Sequence, residues 1–138
     1  MTSMRSMDRT IQTAMEWMHG IKDELKWDDD DRIYNATKAV LQAVRDRMPV
    51  EKAVQFSAQL PVIMKGMYFD QYDPTGKPLT IRSREEFFEL VRSNFVGNLD
   101  AEDAVKGVMR GLHRKMPDEA FNDIRNAFPE NLRDLFEF

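Results

Sequence analysis

The groups able to do acid–base, metal or phosphate chemistry in these 138 residues are few, and their spacing matches no reactive constellation. There is no cysteine, which removes thiolate catalysis, disulfides and Cys-ligated metals. Of the two histidines, His19 has Glu16 and Asp23 as helical neighbours and His113 stands beside Arg114. Neither forms a His-x3-His pair, a His-Glu-x-x-His zinc motif or a Ser/His/Asp set. The acidic run Asp28 to Asp31 invites a divalent cation, but a calcium loop needs Gly at its sixth position and Glu at its twelfth, where this chain has Ile33 and Ala39. The run reads instead as an acidic helix start. Pro74-Thr75-Gly76-Lys77 lacks the first glycine and the trailing Ser/Thr of a phosphate loop and reads as a turn. No catalytic residue, metal or cofactor is expected, and the protein is not read as an enzyme.

Two surface features remain. Lys106, Arg110 and Arg114 recur at every fourth position and form a basic stripe able to touch phosphates. No aromatic residue interleaves with it, and the chain carries a net charge of -4, so a solvated helix face is the leading reading and nucleic-acid contact the alternative. The other feature is an abundance of methionine, ten in all, which fills cores but also lines grooves that accept partner helices. Trp17, off the main apolar stripe of its helix, and Tyr72 are the candidate partner contacts.

The elements that position these residues are read from periodicity. Ile11, Ala14, Met15, Met18, Ile21 and Leu25 mark one face of a helix opening near a capping Asp8 and continuing through Gly20. A second helix follows the acidic run and carries Ile33, Ala36, Thr37, Val40, Leu41, Val44 and Met48. Pro49 and Pro61 introduce two short helices, near Val50 to Gln59 and Pro61 to Tyr68. Asp70 to Arg82 has no period and is read as an ordered connector. Ser83-Arg84-Glu85-Glu86 is a capping box, Asp100 to Lys115 a long helix, and Pro117 and Pro129 introduce two more short ones.

Met48-Pro49 and Leu60-Pro61 return as Met116-Pro117 and Phe128-Pro129, 68 positions later. At that offset Val40 falls on Val108, Val44 on Leu112, Phe56 on Ile124 and Tyr68 on Phe136. An internal duplication is expected: residues 8–69 as one repeat, 70–82 as the connector and 83–138 as the second repeat, all within one domain of 138 residues. The long helices open 72 positions apart by this reading, which leaves about four extra residues, roughly one turn, in the first repeat. The expected fold is all-α, about eight helices in two tandem four-helix repeats related by a pseudo-twofold axis.

The run WDDDDRIYNATKAVLQAVRDRMPVEKAVQFSAQLPVIMKGMYFDQYDPTGKP, with REEFFELV to FPENLRDLF, resembles the bacterial family known as domain of unknown function 2267. The resemblance rests on Arg45-Asp46-Arg47 leading to Gln59-Leu60-Pro61, Gly66 and Tyr68, with Tyr72 where the family pattern has Trp and Gln71 where it has Gly. It implies an all-helical bacterial cytoplasmic protein and brings no activity with it. With no apolar run long enough for a signal peptide or membrane span, a cytoplasmic, membrane-free protein is expected. Its expected role is protein–protein interaction or oligomerisation, the partner being another protein or a second copy. A small apolar ligand between the repeats is a further alternative.

Overall fold

The computed structural model describes residues 4–137 and is all-helical. Seven α-helices are α1 (Arg5–Leu25), α2 (Asp30–Arg47), α3 (Val50–Ser57), α4 (Val62–Phe69), α5 (Arg84–Ser93), α6 (Ala101–His113) and α7 (Asp118–Asn126); a 3-10 helix, Glu130–Phe136, closes the chain. No helix among the described residues is long and apolar enough to cross a membrane.

Most helix starts follow from local chemistry. Asp29, Ser83 and Asp100 each place a side-chain oxygen on the backbone N–H three residues ahead, satisfying one of the donors a helix start leaves unpaired. The Glu86 carboxylate reaches back to accept from Arg82 N at 3.0 Å, one residue before the cap. Pro49, Pro61, Pro117 and Pro129 occupy the N-cap position of the four short helices. Two boundaries differ from expectation. Helix α1 begins at Arg5, with Met4 before it making no side-chain cap, so Asp8 sits in the first turn instead of capping. Asp29 and not Asp28 caps α2, so α2 and α6 begin 71 positions apart.

Helices α2 and α6 are the centre of the molecule. Buried residues run almost all round α2, and α6 buries eight of its thirteen positions. Helix α2 packs on α4, α5 and α6, while α1 lies along α6. That crossing is close because α6 presents Gly107 and Gly111. A Cβ on Gly107 would fall 2.3 Å from the Leu25 Cδ2, and one on Gly111 2.7 Å from the Ile21 Cα.

A polar clamp fixes the end of α2 to α4 and the connector. The Arg45 Nε donates to Asp46 at 2.7 Å, its Nη1 donates to the carbonyls of Tyr68 (2.8 Å) and Asp70 (3.1 Å), and the guanidinium lies 4.9 Å from the centre of the Tyr72 ring. Arg47 donates to Ile81 O, and Leu79 N donates to Asp46 O at 2.8 Å, tying the connector to the end of α2. Tyr68, fully buried, donates its hydroxyl to Ala53 O at 2.8 Å and so ties α4 to α3. The Pro74-to-Lys77 stretch is a turn, with Asp73 accepting from Thr75 N and Gly76 at φ 76°.

Candidate functional site

Helix α1 docks by only part of the face its periodicity suggests. Ala14, Gly20 and Ile21 are buried and Trp17, Met18 and Leu25 half-buried, whereas Ile11 and Met15 of the expected core stripe are 50% and 51% exposed. Met4 and Met7 continue the same exposed line, at 68% and 58%. The glycine pair of α6 sets which part of the stripe is covered: the closest approach of the two helices runs through Ile21 and Leu25, both in the expected stripe, and leaves Ile11 and Met15 outside it.

Beside the exposed line, α1 and the start of α2 enclose a groove of ≈ 260 Å³ lined by the apolar side chains Met15, Met18, Ile33 and Tyr34. Its polar lining is His19, Lys22, Asp30 and Asp31. Lys22 donates to Asp30 at 2.7 Å; that hydrogen bond raises the lysine pKa and lowers the aspartate's. Thus the acidic run is shared between a cap, Asp29, and an ion pair, Asp30. Among the described residues no three His, Cys, Asp or Glu side chains are grouped as metal ligands.

The candidate partner contacts lie elsewhere. Trp17 packs half-buried against the core and widens the buried face of α1. Tyr72 lies half-buried between Phe69 and Arg45, and burial raises its phenol pKa. Its hydroxyl is buried without a hydrogen-bond partner. The basic residues Lys106 and Arg110 on α6 and Arg114 at its C-cap are all exposed. They are set among acids: Lys106 pairs with Glu102 at 3.2 Å, and Arg114 lies 3.5 Å from Glu24 and 3.8 Å from Asp23 while donating to Gly20 O. Counter-charges supplied from within weaken the pull of such a stripe on phosphate.

His113 faces Asp118 at 2.9 Å and stacks on Phe121 with ring centres 4.1 Å apart; His19 lies on the other face, at the groove. The cleft between α3 and α7, lined by Met48, Phe56 and Ile124, is ≈ 50 Å³, well below the few hundred Å³ of ordinary ligand sites.

Sequence reasoning missed Tyr34 and the exposure of Ile11 and Met15. Met4, Met7, Ile11, Met15 and Met18 do stand at steps of three and four, and that signal was available. Fold and surface together define an all-helical protein with an apolar groove between two helices near one end. The chain belongs to the family described as Uncharacterized conserved protein (DUF2267), which it matches over residues 14–135. No curated protein matches it.

Proposed function

We propose that the protein is a non-enzymatic helical interaction module that docks a partner helix against the apolar face of α1 and the groove it forms with α2. The observation that carries this is the exposure of Met15 and Tyr34, two large apolar side chains that line one groove, with exposed Ile11 one helical turn before Met15. Scattered single apolar residues need no explanation, but a contiguous patch of this kind marks contact sites. Methionine suits the role because its unbranched, polarizable side chain adapts to the surface laid on it.

The duplication belongs to the same reading. Supporting it, α3 and α7 begin 68 positions apart, as do α4 and the 3-10 helix, and each start follows a proline. In this reading two tandem repeats about a pseudo-twofold axis share one core, and the second copy of the architecture supplies α6 as the platform for α1. We take the setting to be the bacterial cytoplasm, in keeping with a cysteine-free acidic chain.

The test is affinity capture from host lysate with nuclease present, comparing the native chain with a Met15→Lys/Tyr34→Lys double variant. A specific protein retained by the first and lost by the second, at unchanged melting temperature, is the expected result. Equal capture by both would overturn the assignment of this surface.

A further inference from the structure

The apolar stripe of α1, exposed from Met4 to Met15 and half-buried at Met18, has a symmetry of its own. Counted from Ile11, Met4 and Met7 lie seven and four residues before it, and Met15 and Met18 four and seven after. A helix with that spacing is complementary to itself when a second one is laid antiparallel across a twofold axis at Ile11: Met4 then meets Met18, Met7 meets Met15, and the two Ile11 side chains meet each other. The steps of three and four are those of a helix-packing seam.

At 3.6 residues per turn the exposed charges Arg5 and Glu16 stand roughly 120° and 140° round the helix from Ile11, so both point away from the seam and leave its centre apolar. The incoming first turn would also cover the groove at Met18 and Tyr34.

Area reaches the threshold. The exposed fractions of Met4, Met7, Ile11, Met15 and Tyr34 leave roughly 500 Å² of apolar surface per copy, so full coverage of both copies removes about 1,000 Å² before flanking contacts are added, the amount a specific interface must clear. We propose that the occupant of this surface is a second copy of the chain, docked through an antiparallel α1–α1 seam centred on Ile11. This deepens the interaction-module reading and rests on it.

The experiment is light-scattering mass measurement of the full chain at about 50 µM, a concentration that populates a dimer of micromolar Kd. Twice the 16.2 kDa chain mass is expected. Ile11→Glu, which sets two carboxylates against each other on the axis, should return one chain mass with a Kd weakened at least about a hundredfold and an unchanged helical circular dichroism signal. Val96→Glu, on an even more exposed side chain outside the seam, should leave the dimer intact.

Orientation is read separately, because the natural chain has no cysteine. A short bismaleimide should link Ile11→Cys chains to each other. It should link Met4→Cys chains to Met18→Cys chains but not to themselves, since two Met4 would stand about 21 Å apart along the seam at 1.5 Å per residue. A native chain that is monomeric at this concentration, a dimer that survives Ile11→Glu, or Met4→Cys self-linking would each overturn the proposal. Lysate capture by the native chain together with a monomeric mass would sink only the second-copy assignment and leave the module reading in place.

Discussion

Arg45 and Asp46 are neighbours in sequence, both buried and paired, and Arg45 donates further hydrogen bonds to the carbonyls of Tyr68 and Asp70. The role of Arg45, Asp46 and Tyr68 is thus architectural: together they anchor the end of α2 where α4 and the connector converge. Removing one member strands the other in a site with little water. Arg45→Met should cost about 3–5 kcal/mol, read as a lowered urea midpoint with an unchanged slope. A loss under about 1 kcal/mol would mean that the pair is solvated in solution. Tyr68 makes a second, pH-dependent contribution. Burial raises its phenol well above the ordinary value of 10.0, so the unfolded chain gives up this proton first. The stability involved is complete below pH 10 and is lost as pH rises above it. Urea midpoints between pH 8 and 11 should therefore fall steeply for the native chain and more gently for Tyr68→Phe, which starts lower by about 1 kcal/mol for the lost bond to Ala53.

At the level of the elements, the contact of α1 with α6 is set by Gly111. Alanine there would ordinarily favour the helix by about 1 kcal/mol, but its Cβ would lie 2.7 Å from the Ile21 Cα, a backbone atom that cannot rotate aside. Gly111→Ala should therefore destabilise by about 1–3 kcal/mol, and a gain in melting temperature would show that the crossing is looser than described. The connector gives the opposite case. Gln71 stands at φ 59°, where a side chain crowds the backbone and glycine does not. Gln71→Gly should raise stability by about 1 kcal/mol on thermal denaturation; a loss would mean that the Gln71 side chain makes contacts worth more than the strain.

These two positions also show what the sequence made legible. The starts of α3 to α7 were readable because caps and prolines act on the backbone within a few residues. The docking face of α1 was legible only in part: Ala14 and Ile21 are buried where the periodicity put them, but the apolar sector is wider than the buried face, and Ile11 and Met15 fall outside it. Where the burial stops is decided by glycines of α6, some 90 residues away, that leave no periodic trace. For the same reason the groove at Met15 and Tyr34 was invisible, while the basic stripe, defined by one helix alone, was found where its spacing put it.

For the whole molecule, the arrangement of the core argues that the two halves of the chain cannot fold apart. Helix α1 buries Ile21 against α6, and α2 is covered by α5 and α6 on faces that a truncated chain would open to water. Val40, Leu41 and Val44 are fully buried, each worth about 1.5–3 kcal/mol when removed from water, which is a large part of a domain's net stability. A chain ending at Arg82 would keep α1 to α4 and their caps but lose the partner of its longest helix. It should show weak helical circular dichroism and no cooperative thermal transition, while the full chain melts in one step whose midpoint is the same by circular dichroism and by Trp17 and Trp27 fluorescence. If the truncated chain melts cooperatively, the two halves are separate domains, and the interface between them must be explained by docking and not by a shared core.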